Sequence, residues 1–142
     1  MRKLLLALLA VALLLPSVGT GAQRLTTVKS HGSRFGIVLF DGRGYVVYAF
    51  TRDPRGHSVC TGACARAWPP FIVHGRLVAA NGARTALLGT TRRADGRRQA
   101  TYAGRPLYFY VGDRKPRQIS CQNVSEFGGL WLVVRPSGKL VR

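Results

Sequence analysis

Two stretches of the sequence, YAFTRD at residues 48–53 and YFYVGD at residues 108–113, share the pattern Tyr-x-aromatic-x-x-Asp. The shared positions are Tyr48, Phe50, Asp53, Tyr108, Tyr110 and Asp113. Because residues i and i+2 of a strand lie on one face, each stretch predicts an aromatic ridge with an Asp just beyond the end of the strand. Neither unit can bury its apolar face alone, so the repeat predicts that two hairpin units pack together with approximate twofold symmetry.

The remaining sequence predicts short strands separated by tight turns. Segments rich in Val, Ile, Tyr, Phe and Thr alternate with the turn sequences DGRG (41–44), ADGR (94–97), YAGR (102–105) and PSGK (136–139). The one helix candidate is TGACARAW (61–68), in which Thr61 can cap the first turn and Pro69 ends the helix. We therefore predict a mainly β fold, a single small domain of two pseudo-repeated hairpin units (about 35–75 and 85–134), with one short helix after the Cys-x-x-x-Cys motif.

The motif residues fit three interpretations. Aromatic side chains followed by an Asp are typical of a core with a turn-capping carboxylate. Alternatively, Asp53 and Asp113 meet across the twofold as an acid–base pair or a cation site. The third interpretation is a carbohydrate or aromatic ligand that stacks on exposed tyrosines.

The amino terminus has the three-part layout of a secretory signal peptide. Arg2 and Lys3 precede an apolar run from residue 4 to residue 15, and small residues follow as far as Ala22. The run is shorter than the roughly 20 residues that span a bilayer. We predict a signal peptide over 1–22 and a secreted β-rich domain over 23–142. Because Gln23, and not a Cys, follows the predicted cleavage site, we expect a secreted or periplasmic protein of the cell envelope that is not lipid-anchored.

The chain has three cysteines, and an oxidising compartment favours a disulfide between Cys60 and Cys64. On the loop-closure estimate this pairing contributes about 2 kcal/mol, and pairing Cys64 with Cys121 about 4 kcal/mol, so geometry decides between them. Under the first pairing Cys121 is buried, free or bonded to another chain. The alternative is a Zn or Cu site that uses His57, Cys60 and Cys64, with Asp53 or Cys121 as a further ligand.

The chain is strongly basic, with a formal net charge of +17 that falls to +15 if Arg2 and Lys3 are removed with the signal peptide. Such a charge attracts polyanions, here an anionic envelope polymer or lipid head groups. The candidate contacts flank two predicted turns and are Arg92, Arg93, Arg97, Arg98, Arg114, Lys115 and Arg117. The alternative is that the arginines reflect composition alone. No zinc-finger spacing or RNA-binding aromatic signature points to a specific nucleic acid.

With these motifs the sequence resembles a secreted-repeat family of bacterial envelope proteins, described as predicted lipoproteins with a Tyr-x-aromatic-x-x-Asp motif and no known role. The matching elements are YVVYAFTRD (45–53), CTGACARAWPP (60–70), LGTTRRADGRRQATYAGRPLYFYVGD (88–113) and GLWLVV (129–134). Two departures are the missing lipid-attachment Cys and the presence of Cys121, where the family more often has a Gly-rich loop. The resemblance implies an exported, envelope-associated protein and supplies no reaction.

We therefore expect an exported cell-envelope or extracellular repeat protein that binds or scaffolds without catalysis and without a cofactor. The sequence contains no Gly-x-Ser-x-Gly elbow, no phosphate-binding loop and no Cys-x-x-Cys-His haem motif. The alternative is a redox or metal-handling envelope protein that uses Cys60, Cys64 and His57.

Overall fold

The computed structural model describes residues 21–142, so the predicted signal peptide lies almost entirely outside the described residues. The strands are β1 (Leu25–Ser33), β2 (Gly36–Asp41), β3 (Tyr48–Phe50), β4 (Arg76–Ala80), β5 (Leu88–Arg92), β6 (Arg98–Tyr102), β7 (Arg105–Tyr108), β8 (Val124–Glu126) and β9 (Gly129–Val133). Within the described range the α-helix α1 (Ala63–Ala67) precedes β4, and a 3-10 turn (Thr85–Leu87) precedes β5. The predicted mainly β fold with one short helix is confirmed. Nowhere in residues 21–142 is a helix long and apolar enough to cross a membrane.

The strands form two sheets. The smaller sheet has the order β2-β1-β4, in which β1 pairs antiparallel with β2 and parallel with β4. The larger sheet has the order β5-β6-β7-β3-β9-β8, and all its pairs are antiparallel. At its centre β3 pairs with β7, and Tyr48 lies opposite Tyr108. The motif strands of the two units are therefore direct neighbours.

The hairpin between β6 and β7 shows how one predicted turn forms. Ala103 and Gly104 connect the two strands with φ angles of 50° and 74°. Positive φ at both central residues matches the twist of the flanking strands in a two-residue hairpin, and glycine adopts it without a Cβ clash. The YAGR sequence at 102–105 predicts this turn.

An aromatic stack fills the core between the two units. The indoles of Trp68 and Trp131 are stacked, with ring centroids 4.0 Å apart and an interplanar angle of 4°. Phe50 stacks on Trp131 at 4.2 Å, and Tyr110 packs against Trp68 at 4.7 Å. Offset or stacked aromatic pairs of this kind add stabilisation beyond their buried area.

The motif tyrosines complete the stack reciprocally. Tyr48 meets Trp68 edge-on and Tyr108 meets Trp131 edge-on, each with ring centroids 5.2 Å apart. The Glu126 carboxylate accepts the Trp68 indole N–H at 2.8 Å, and the Glu126 carbonyl accepts the Trp131 indole N–H at 3.3 Å. The contacts of Trp68 and Trp131 with the motif rings therefore form matching pairs, as the approximate twofold predicted by the repeat requires.

Helix α1 differs from the prediction in where it begins and how it is capped. It includes Cys64, so it begins within the Cys-x-x-x-Cys motif and not after it. Gly62, with a φ of 54°, is the N-cap residue and no side chain caps the helix, so the predicted Thr61 side-chain cap is wrong. The backbone carbonyl of Thr61 instead accepts the N–H groups of Cys64 and Ala65 at 3.1 and 3.5 Å. The bend at position 62 needs a positive φ, which glycine adopts readily.

Candidate functional site

The Tyr and Asp residues of the motif form hydrogen bonds between the two units. The Tyr48 hydroxyl donates to Oδ2 of Asp113 at 2.7 Å. Reciprocally, the Tyr108 hydroxyl donates to Oδ2 of Asp53 at 2.5 Å. Each Asp therefore serves the tyrosine of the other unit, and the two carboxylates face different tyrosines.

The second carboxylate oxygen of each Asp holds the loop that follows it in its own unit. Oδ1 of Asp53 accepts the Val59 N–H at 2.8 Å, and Oδ1 of Asp113 accepts the Ser120 N–H at 2.9 Å. Hydrogen bonds to an ionised acceptor are among the stronger ones in proteins. One carboxylate thus connects a loop of its own unit to a tyrosine of the other.

The surroundings of these groups favour a structural role. Burial raises the pKa of Tyr48 and Tyr108, and the hydrogen bonds to Asp113 and Asp53 raise it further, so both phenols stay protonated and donate. Burial also raises the pKa of Asp53, while the hydrogen bonds from Tyr108 and Val59 oppose that rise. Both tyrosine rings are fully buried and have no free face for a ligand. This geometry matches the aromatic core with loop-holding carboxylates.

Cys60 and Cys64 form a disulfide with Cα atoms 5.3 Å apart, in the pairing that the sequence favours. Both cysteines are buried against the aromatic core. Because their sulfur atoms are bonded to each other and His57 is exposed, the three side chains are not arranged as a metal site. Over residues 21–142 no group of three or more His, Cys, Asp and Glu side chains could hold a metal ion.

Cys121 is the remaining thiol and is half-buried. It directly follows Ser120, whose N–H binds Asp113, just as Cys60 directly follows Val59, whose N–H binds the first-unit Asp. Cys121 is therefore the second-unit counterpart of Cys60. Burial raises the pKa of the Cys121 thiol, a hydrogen bond with Tyr110 opposes that rise, and the nearby carboxylates add to it.

The predicted polyanion contacts include six exposed residues and one buried residue. The exposed ones are Arg92, Arg97, Arg98, Arg114, Lys115 and Arg117. The prediction is corrected for Arg93, because its side chain is only 6% exposed. Its guanidinium donates to Gln99 Oε1 at 2.7 Å, to the Cys60 carbonyl at 2.8 Å and to Ser58 Oγ at 2.9 Å. Arg93 thus holds the disulfide loop against the β5–β6 hairpin.

Basic side chains line two clefts in equivalent places. The first basic cleft, of about 550 Å³, lies between loop 57–65 and the β5–β6 turn and is lined by His57, Arg92 and Arg97, with Asp95 paired to Arg97. The second basic cleft, of about 530 Å³, lies between the β1–β2 turn and loop 117–120 and is lined by Arg34 and Arg117. Each cleft is built from a hairpin turn of one unit and the loop after the motif Asp of the other.

The contacts that hold each cleft together also correspond. In the first cleft Arg93 donates to the Cys60 carbonyl, and in the second Arg34 donates to the Ile119 carbonyl, both at 2.8 Å. Arg117 donates back to the β1–β2 hairpin through the carbonyl of Gly32, at 3.1 Å. Arg34 was not among the predicted contacts, although its place two residues before Gly36, near a turn, is the signal that could have identified it.

The acidic side chains do not neutralise this surface. Four of the five carboxylates belong to buried or half-buried residues and accept hydrogen bonds there, those of Asp41, Asp53, Asp113 and Glu126. Asp95 is exposed, and the hydrogen bonds from Arg97 lower its pKa. The chain has 22 Lys and Arg residues, and the ion pairs among the described residues involve three of them, Arg43, Arg93 and Arg97. The exposed charge is therefore largely uncompensated.

A sequence profile for a family described as a secreted repeat of unknown function matches residues 33–71 and 89–135. The two matched ranges cover more than half of the chain, and each contains one Tyr-x-aromatic-x-x-Asp motif. The chain belongs to this secreted-repeat family. No curated protein and no solved structure matches it. The family resemblance expected from the motif is confirmed, and the secreted-repeat description assigns no molecular activity.

Removing the exchanged hydroxyls should destabilise the secreted repeat unequally. We expect Tyr48→Phe to lower the free energy of unfolding by about 1–3 kcal/mol, because Asp113 is only 7% exposed and its carboxylate loses a donor. Tyr108→Phe should cost less, since Asp53 is half-buried and water can replace the hydroxyl. Urea unfolding measures both values. Tyr45→Phe is the control, because this half-buried hydroxyl makes a single 3.3 Å hydrogen bond, and an equal loss there would contradict the prediction.

The thiol content should be one per native chain without reductant. Because the pKa of Cys121 is raised, its thiolate fraction at mildly alkaline pH is small, and we expect it to react with a disulfide reagent more slowly in native than in unfolded protein. Cys121→Ser should leave no reactive thiol. Three thiols in the native protein would contradict the disulfide and favour the redox or metal alternative.

Proposed function

We propose that this secreted repeat is an exported, non-catalytic binding or scaffold module that holds an anionic polymer of the cell envelope in its two basic clefts. Charge supports the proposal most directly. Four of the five carboxylates are buried or half-buried, and exposed Asp95 pairs with Arg97, while the other cations around the clefts are exposed. Phosphate and carboxylate groups are the natural partners of exposed guanidinium groups. Export is supported by the amino-terminal pattern, by the family description and by the disulfide.

A repeating polymer suits two equivalent clefts better than an isolated anion does. Both clefts have similar volumes and both carry arginines on a hairpin turn or on the facing loop. Two weak contacts to one chain raise its effective concentration at the second cleft, so a long polyanion binds more tightly than its monomer. The disulfide and the exchanged Tyr–Asp hydrogen bonds keep the cleft walls in place during binding.

Charge reversal at each cleft tests this function. We expect the pair Arg92→Glu and Arg97→Glu at the first cleft, and the pair Arg34→Glu and Arg117→Glu at the second, each to weaken retention on wall teichoic acid or lipopolysaccharide. The four changes combined should remove most of it. In duplex DNA the logarithm of affinity falls with the logarithm of salt by about 0.9 for each phosphate contact, and each pair should lower this slope. Retention is measured at about 0.15 M salt, where the Debye length is about 8 Å, with heparin as a non-specific comparison.

The matched control is Arg84→Glu with Lys139→Glu. These two residues are exposed, line neither cleft and change the net charge by the same amount as each test pair. Thermal unfolding checks that every variant is folded. Equal loss of retention in the control pair and the cleft pairs would show that net charge alone is responsible, and would refute the clefts as binding sites.

A further inference from the structure

A third depression in the surface shares no lining residue with the basic clefts. It is an open groove of about 730 Å³ between β1, the turn after β2 and the extended segment 70–74. A smaller hollow of about 220 Å³ continues from it, because Arg43 and Phe109 line both. We call the two together the aromatic groove.

The floor of the aromatic groove is formed by aromatic rings. Phe71 and Phe109 have ring centroids 4.9 Å apart and an interplanar angle of 51°. Phe71 is buried, but Phe109 and the neighbouring Tyr45 are only half-buried. A partly exposed ring at the bottom of a groove offers its π face to a flat, apolar surface of a ligand.

The rim of the groove is cationic. The Arg43 guanidinium lies 5.1 Å from the Tyr45 ring centroid and 5.8 Å from the Phe109 ring centroid, which fixes it above the floor. Its Nε donates to Asp41 at 2.8 Å, and its two terminal nitrogens donate to no acceptor among residues 21–142. The side chain is 71% exposed. Arg24 is exposed on the opposite lining of the groove.

The groove lacks a free carboxylate. Asp41 accepts the N–H groups of Arg43 and Tyr45 in addition to the Arg43 Nε. Asp113, at the far end of the smaller hollow, accepts the Tyr48 hydroxyl and a loop N–H. Asp41 is ion-paired with Arg43 through Nε only, so an anionic ligand would meet the free terminal nitrogens of Arg43 beside an aromatic surface.

We propose that the aromatic groove binds a carboxylated sugar unit of an acidic polysaccharide. A pyranose ring presents polarised C–H groups on one face, and these are attracted to the negative π face of a ring such as Phe109. Its carboxylate accepts a bidentate hydrogen bond from the free nitrogens of Arg43, which a planar guanidinium fork provides. A phosphate polymer without rings uses only the charge and leaves the aromatic floor uncovered. The site is separate from the clefts of the proposed function, so either proposal can fail alone.

Titration with an oligogalacturonate tests the proposal, with inorganic polyphosphate of equal charge as the ringless comparison. At about 0.15 M salt we expect the oligogalacturonate to bind the secreted repeat more tightly than polyphosphate does. Phe109→Leu keeps an apolar side chain against Phe71 and removes the π face, so it should lower oligogalacturonate affinity about tenfold and leave polyphosphate binding unchanged.

Arg43→Gln is the second variant. Its effect is not confounded by core packing, because the Arg43 side chain is exposed and Asp41 still accepts the backbone N–H groups of residues 43 and 45. It should also weaken oligogalacturonate binding. Arg92→Glu with Arg97→Glu leaves the groove intact and should therefore weaken polyphosphate binding more than oligogalacturonate binding. Equal affinity of the two anions, or unchanged oligogalacturonate affinity in both groove variants, would overturn the proposal.

Discussion

The fold depends on an exchange of hydrogen bonds between the two units. A buried tyrosine hydroxyl needs a partner, since leaving it unsatisfied costs about 1–3 kcal/mol. The acceptor for Tyr48 is Asp113 and the acceptor for Tyr108 is Asp53, so neither unit can satisfy its own tyrosine. The antiparallel pairing of β3 with β7 places the two tyrosines opposite each other and makes both exchanges possible at once. A single unit would expose both its aromatic face and an unpaired carboxylate, which explains why the motif occurs twice in one chain.

The same carboxylates determine where the clefts lie. Each motif Asp accepts a tyrosine hydroxyl of the other unit and a loop N–H of its own unit. This pair of hydrogen bonds holds the loop against the other unit. Arg93 and Arg34 then close the gap by donating to loop carbonyls. The clefts thus follow from the hydrogen bonds that the buried tyrosine hydroxyls require. The two carboxylates that accept those bonds are no longer available to neutralise the surface arginines.

The sequence predicts the strands, the two repeated motif units and the disulfide, because each has a signal in the sequence pattern. The exchange of hydrogen bonds between units has no such signal, because an Asp five residues after a Tyr is compatible with a bond inside one unit or between two.

The equivalence of Trp68 and Trp131 was missed because they are 63 positions apart, while the motifs are 60 apart. Arg93 was predicted to be exposed because arginines at a turn usually are, and only tertiary contacts supply the three acceptors that bury it. The parallel pairing of β1 with β4 is likewise a long-range contact without a local pattern.

The two units differ in how the loop after the motif Asp is closed. In the first unit a disulfide closes a short ring, which by the loop-closure estimate contributes about 2 kcal/mol. In the second unit the counterpart Cys121 has no partner four residues on, and glutamine side chains take over. Gln118 accepts the Arg114 N–H and donates to the Gly112 carbonyl, and Gln122 accepts the Val133 N–H. These amides fix the backbone without a covalent bond, so reduction should loosen the first loop and leave the second closed. The internal symmetry therefore preserves the exchanged Tyr–Asp bonds, on which both units depend, and allows each loop its own means of closure.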